Sequence, residues 1–179
     1  MLKLFLLLTG PVSAVALLYA RWEYRDRGKL SPLGTVLLCL MLLVPNIVLD
    51  YAMRYEMPST FLDYLGVVIA AFGLALCVLA MVRFKSVAQV FCNDTGYLAT
   101  AGPYRWGRNP QYVGWVLFLL GFSLNDWSYW CLAALLVVAV SLHLLVLIEE
   151  EHLVRVFGRP YTEYCRAVPR YFGLPANLR

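Results

Sequence analysis

Apolar and polar positions alternate in long blocks along this chain rather than residue by residue. Five apolar stretches can be drawn: Leu4–Ala20, Leu33–Leu49, Tyr64–Val82, Tyr112–Leu124 and Trp130–Ile148. A helix crosses the hydrocarbon core of a bilayer with about 17–25 residues, so the first, second, third and fifth are long enough. Tyr112–Leu124 is short, but Asn125-Asp126-Trp127-Ser128 reads as a tight turn into the fifth stretch. The pair is therefore expected to form a helical hairpin, its first arm extended by flanking residues or lying shallow. Gly66, Ala70, Ala71, Gly73 and Ala75 give the third span small faces for close helix approach, with core packing as their plainest use. The pattern predicts an all-α, polytopic membrane protein with five transmembrane helices.

Composition agrees. The chain has 179 residues, 61% hydrophobic and 15% charged, where a soluble domain carries about 25% charged residues. Mean hydropathy is +0.68. No linker, repeat or low-complexity tract divides the sequence, so residues 1–179 are expected to form one domain. Cys39, Cys77, Cys92, Cys131 and Cys165 are scattered, and neither His143 nor His152 has a zinc-type spacing to any of them. No metal site is expected.

Basic residues orient the spans. Arg21, Arg25, Arg27 and Lys29 follow the first stretch directly and hold that end in the cytoplasm, which favours an uncleaved span over a signal peptide. Arg83, Lys85, Arg105, Arg108, Arg155, Arg159, Arg166, Arg170 and Arg179 then fall on the same side, thirteen of the fifteen Lys and Arg, leaving Lys3 and Arg54 opposite. The N-terminus is expected outside and the C-terminus inside. The net charge of +4 is accounted for by lipid headgroups and calls for no nucleic acid.

Two polar islands reach that same cytoplasmic face, at Gly102–Trp115 and from Glu149-Glu150-Glu151 to Tyr161. Charged and turn-forming residues beside a membrane span mark function or the headgroup boundary. They contain no Ser/His/Asp set, no phosphate-cradling loop and no metal-ligand cluster. What they hold is turn backbone, aromatic rings and carboxylates. Rings attract an onium charge, and a Glu pairs with an ammonium. The set suits S-adenosylmethionine, with a cytoplasmic pocket near the C-terminus. Tyr104 and Tyr112 can flank the adenosyl-sulfonium unit, Pro110 fixes the turn between them, and Glu149 can take the ammonium. The plainer readings are a solvated helix end for Glu149–Glu151, an interfacial belt for Tyr97 and Trp106, and topology signals for Arg105 and Arg108.

Gly102-Pro-Tyr-Arg, Arg108-Asn-Pro-Gln-Tyr-Val-Gly, Glu149-Glu150-x-x-Leu153, Phe157-Gly158-x-x-Tyr161-x-x-Tyr164 and Val168-Pro169-Arg170 together resemble the isoprenylcysteine carboxyl methyltransferases, relatives of the membrane phospholipid N-methyltransferases. The resemblance covers a catalytic region at about Gln89–Arg170; the N-terminal spans match only in being spans. It implies S-adenosyl-L-methionine in a pocket closed by the C-terminal segment, and a lipid-like acceptor entering from the bilayer. Its cofactor contacts fall on Gln89, Gly96, Tyr97, Leu98, Ala99, Tyr104, Asn109, Pro110, Gln111, Tyr112 and Glu149. Asn109 stands where the family usually has His, and no Arg precedes the Glu pair at the place where carboxyl-methylating members hold a carboxylate; Leu145 occupies it. Methyl transfer to a carboxylate or thiolate needs no base, whereas an amine must lose a proton, for which Glu150 or His152 is at hand. Two other classes stay open: a membrane reductase of the sterol-reductase type, from Tyr164-Cys-Arg-Ala-Val-Pro169, and a non-catalytic lipid-binding relative.

Overall fold

The computed structural model describes residues 2–52, 59–84, 98–125 and 129–174. Six α-helices and one 3-10 turn make up the regular structure there: α1 (Leu2–Asp26), α2 (Pro32–Ala52), α3 (Phe61–Met81), the turn Gly102–Arg105, α4 (Pro110–Asn125), α5 (Tyr129–Phe157) and α6 (Arg159–Ala167). Each of the five apolar stretches lies on one of the first five helices. α3 and α5 are long and apolar enough to cross a membrane. Only 28% of the most apolar window of α3 is buried by protein, so most of its surface needs another apolar medium. The proposed turn at residues 126–128, and Cys92, Arg54, Lys85 and Arg179 of the sequence argument, lie outside the described residues.

α5 is the central helix, touching α1, α2, α4 and α6. On one side Ala16, Leu17, Ala20 and Tyr24 of α1 and Leu38 and Met41 of α2 pack with Leu145. On the other, Leu119 of α4 meets Cys131, Ala134, Leu135, Val138 and Leu142. Its 29 residues extend about 44 Å at about 1.5 Å each, more than a bilayer core of about 30 Å. The end beyond Ile148 can therefore project past the apolar zone.

The α1–α2 corner is fixed by Glu23, which is 0% exposed. Its carboxylate accepts from Ser31 N–H at 2.9 Å and Arg27 Nη1 at 3.0 Å. This places negative charge at the start of α2, where free N–H groups favour it.

α4 packs chiefly on antiparallel α3, more than on its neighbour α5. Gly66, Ala70 and Gly73 are buried there against Gly114 and Gly121. A Cβ on Gly73 would lie 2.6 Å from the Gly114 carbonyl oxygen and against the Phe118 amide nitrogen, both backbone atoms that cannot yield. Ala71 and Ala75, grouped with these glycines on sequence, face outward and are exposed. A 3.6-residue period places them off the contact stripe.

Gly73→Ala is expected to cost about 1–3 kcal/mol through overpacking, lowering the melting temperature in detergent. Ala75→Leu should leave that temperature unchanged. Equal behaviour of the two variants would contradict the packing described.

Candidate active site

The apolar run of α5 gives way at Glu149 to three consecutive carboxylates, which a helix fans about 100° apart per residue. Glu149 is 5% exposed and Glu150 8% exposed, so neither is a solvated helix end. Glu149 turns inward, where Oε1 accepts the Tyr112 hydroxyl at 2.7 Å. It lines a cavity of about 160 Å³ with Leu38, Leu42, Cys77, Met81, Gln111, Tyr112, Trp115, Leu142 and Leu145. Among the described residues no Lys or Arg pairs with it.

Glu150 faces the turn before α4. Arg108 Nη2 lies 3.2 Å from Oε1. Arg170 reaches Oε2 through Nη2 at 2.9 Å and Nε at 3.0 Å. Asn109 Nδ2 donates to Glu150 Oε1 at 3.3 Å and to the Arg170 carbonyl at 3.2 Å. Both carboxylate oxygens are occupied, and the hydrogen bond to Glu150 raises the Arg170 pKa further, keeping that guanidinium charged. Held on both oxygens, this carboxylate ties residues 108–109 to residue 170.

Residues 168–174 close over the site as a strap. Arg108 N–H donates to the Pro169 carbonyl at 3.0 Å, and Gly173 N–H to the Trp106 carbonyl at 2.9 Å. Between them Gly107 lies directly under the Tyr171 carbonyl, which any Cβ would strike. Trp106 stacks on Phe172 with ring centroids 6.4 Å apart, and Tyr171 shares a hydrogen bond with His143 of α5. The chain reaches the strap by turning at Gly158, whose φ of 60° favours glycine. From there Tyr161 and Tyr164 of α6 bury their rings. Burial raises both phenol pKa values, keeping the hydroxyls neutral donors; that of Tyr164 donates to the Tyr104 carbonyl at 2.7 Å.

The remaining sequence candidates fall in two groups. Gln111, Tyr112 and Glu149 meet at the cavity. Pro110 begins α4 and so sets their approach. Tyr104 stands behind Gln111, its hydroxyl donating to Oε1 at 2.8 Å, while its ring packs on Ala80, Ala99 and Phe84. Leu98 packs against the Tyr161–Tyr164–Val168 cluster. Gln89, Gly96 and Tyr97 lie outside the described residues. Sequence reasoning had Arg170 only as a topology signal and part of a family motif, and Trp115 only among the aromatic rings of the first polar island, with no contact assigned to either. The indole Nε1 of Trp115, on the cavity wall, is buried with no hydrogen-bond partner among the described residues.

This donor set fits the cofactor inferred from sequence. A buried carboxylate is stable as an anion only beside a positive group, and Glu149 lacks the arginines its two neighbours have. Tyr112 and Trp115 add the rings that attract an onium charge.

The phospholipid methyltransferase family matches residues 61–160. This chain belongs to that family. The match takes in α3, which sequence reasoning had treated as similar only in being a span. The protein-S-isoprenylcysteine O-methyltransferase of Xenopus laevis is 32% identical over 121 residues, covering 65% of this chain and 41% of that protein. The Homo sapiens protein of the same name is 34% identical over 128 residues, 65% of this chain and 42% of it. A probable one from Oryza sativa subsp. indica is 32% identical over 122 residues, 64% and 62%. The chain thus spans about two-fifths of the length of the animal relatives. No solved structure matches. Family membership and two spanning helices together make this a membrane protein.

Glu150→Gln should free the strap, since removing one partner of a buried ion pair costs about 3 kcal/mol. Faster tryptic cleavage after Arg166 and Arg170 is the expected readout, with Glu163→Gln, which touches only exposed Arg159, as the control. Identical cleavage rates would show that Glu150 does not hold the strap.

Proposed function

We propose that this protein is a multi-pass membrane methyltransferase that uses S-adenosylmethionine and modifies an acceptor with a long apolar tail at the cytoplasmic face. The observation that carries this reading is Glu149, a buried carboxylate with no cationic partner among the described residues, on the wall of an apolar cavity. Five spans and a cytoplasmic site follow from the thirteen-to-two division of basic residues.

When bound, S-adenosylmethionine supplies a methyl group on a sulfonium. Glu149 would hold its ammonium group through a charge-assisted hydrogen bond. Tyr112 orients Glu149 by donating to it, and presents its ring to the same cavity. Gln111, held by Tyr104, and Trp115 Nε1 offer further polar contacts. Leu38, Leu42, Leu142 and Leu145 exclude water, which favours a reaction in which positive charge disappears. Asn109 and Glu150 act through the strap, keeping the turn before α4 in place. Gln89 and the Gly96–Ala99 stretch remain proposed contacts on the family resemblance.

The names of the relatives make a prenylated cysteine the first acceptor to test. A second reading rests on Leu145, which is 2% exposed on the cavity wall. It leaves α5 without the guanidinium fork that grips a carboxylate. Arg108 and Arg170 are committed to Glu150, and Arg155, one helical turn after Glu151 and paired with it, shares the face of Glu151 rather than that of Glu149. That arrangement suits an amine or thiol acceptor.

The test incubates purified protein with methyl-labelled S-adenosylmethionine and either a prenylated cysteine analogue or an aminophospholipid. Label is expected on a tailed acceptor and not on free cysteine. A base-labile methyl ester on the prenylated analogue supports the first reading, and base-stable label on the phospholipid amine supports the second. Label on neither would contradict the proposal.

A further inference from the structure

The third carboxylate has a different setting. Glu151 Oε1 accepts from Arg25 Nη2 at 2.6 Å and Nε at 3.1 Å, and from Arg155. Arg21 Nε lies 3.5 Å from its Oε2. Three guanidiniums thus share one carboxylate, a local excess of two positive charges with most of their N–H donors left over. The side chains of Arg21, Arg25 and Arg155 are 48%, 52% and 42% exposed, so all three remain accessible to an anion.

Arg21 and Glu151 also form the polar end of a groove of about 440 Å³ between α1 and α5. The rest of it is apolar, built from Leu17 and Leu18 of α1 and Leu144, Leu147 and Ile148 of α5. Its volume falls in the range of ligand sites. The groove shares no lining residue with the Glu149 cavity, because the helical period carries Glu151 to another side of α5. Its polar end stands just past Ile148, where the apolar run stops and headgroups are expected.

We propose that this groove is a binding site for an anionic phospholipid, one acyl chain lying along Leu17, Leu144 and Leu147 and the phosphate received by Arg21, Arg25 and Arg155. Charge decides the occupant. Guanidiniums engage phosphate bidentately, and basic pockets between membrane helices take acidic headgroups. A zwitterionic lipid would bring its own cation into a place already over-supplied with positive charge. The site rests on the membrane placement proposed above and not on methyl transfer.

Native mass spectrometry of the detergent-solubilised protein, titrated with phosphatidylglycerol or phosphatidylcholine of the same acyl chains, tests this with no activity readout. The expected result is retention of one phosphatidylglycerol roughly fivefold or more tighter than phosphatidylcholine. Arg21→Gln/Arg25→Gln should abolish the preference. Leu147→Trp, which fills the groove and leaves the arginines intact, should weaken phosphatidylglycerol binding on its own and keeps the test valid where the double variant fails to fold. Inorganic phosphate should not displace the lipid. Equal retention of the two lipids, an unchanged preference in the folded arginine variant, full retention in Leu147→Trp, or displacement by phosphate alone would each overturn the proposal.

Discussion

A carboxylate leaving water loses its hydration and is stable only if something positive replaces it. Three such groups stand in a row where the apolar run of α5 stops, and the helical repeat sends each to a different neighbour. Glu151 finds three arginines at the surface. Glu150 finds two, together with the Asn109 amide. Among the described residues Glu149 finds only the Tyr112 hydroxyl and an apolar cavity. The arrangement around the C-terminal part of α5 follows from meeting these three demands. Glu150 draws the turn before α4 and the C-terminal strap together, and Glu151 gathers α1 against α5. Of the three, Glu149 alone has no Lys or Arg partner among the described residues, which is why the proposed cofactor cation is assigned to it.

The carboxylates are useful only if the helices hold their positions. Lipid gives little hydrophobic drive for helices to associate, so close contact must do that work. Gly66, Gly73, Gly114 and Gly121 supply it between α3 and α4, which fixes Gln111, Tyr112 and Trp115 at the N-terminal end of α4. Gly107 does the same at the strap, where the Tyr171 carbonyl leaves no room for a side chain. In both places the close packing depends on the missing side chain of a glycine.

What could be read from the sequence was whatever is periodic or local. All five apolar stretches became helices, because apolar runs of that length have few other folds open to them. Their ends were less legible. α1 runs on to Asp26 and α5 to Phe157, through charged residues that hydropathy treats as loop but that pair across helices. Ala71 and Ala75 show the limit of composition, since small size alone does not say which face is buried. In the site, Gln111, Tyr112 and Glu149 were brought together as expected. The pairing of Arg108 and Arg170 with Glu150 spans 42 and 20 residues of sequence and has no local signature. Only the ion pairs four residues apart, Glu23–Arg27, Glu151–Arg155 and Arg159–Glu163, carry a local signal of that kind.

If Glu149 is kept unpaired for a cationic cofactor, its charge should matter to binding more than that of any neighbour. Isothermal titration of S-adenosylmethionine into the solubilised protein, wild type against Glu149→Gln, measures this directly. A charge-assisted hydrogen bond in a buried site contributes about 1.5–3 kcal/mol, or roughly 10- to 100-fold in Kd. The account predicts a loss of that size in a variant that keeps its fold and its Tyr112 contact. An unchanged Kd in folded Glu149→Gln would contradict it.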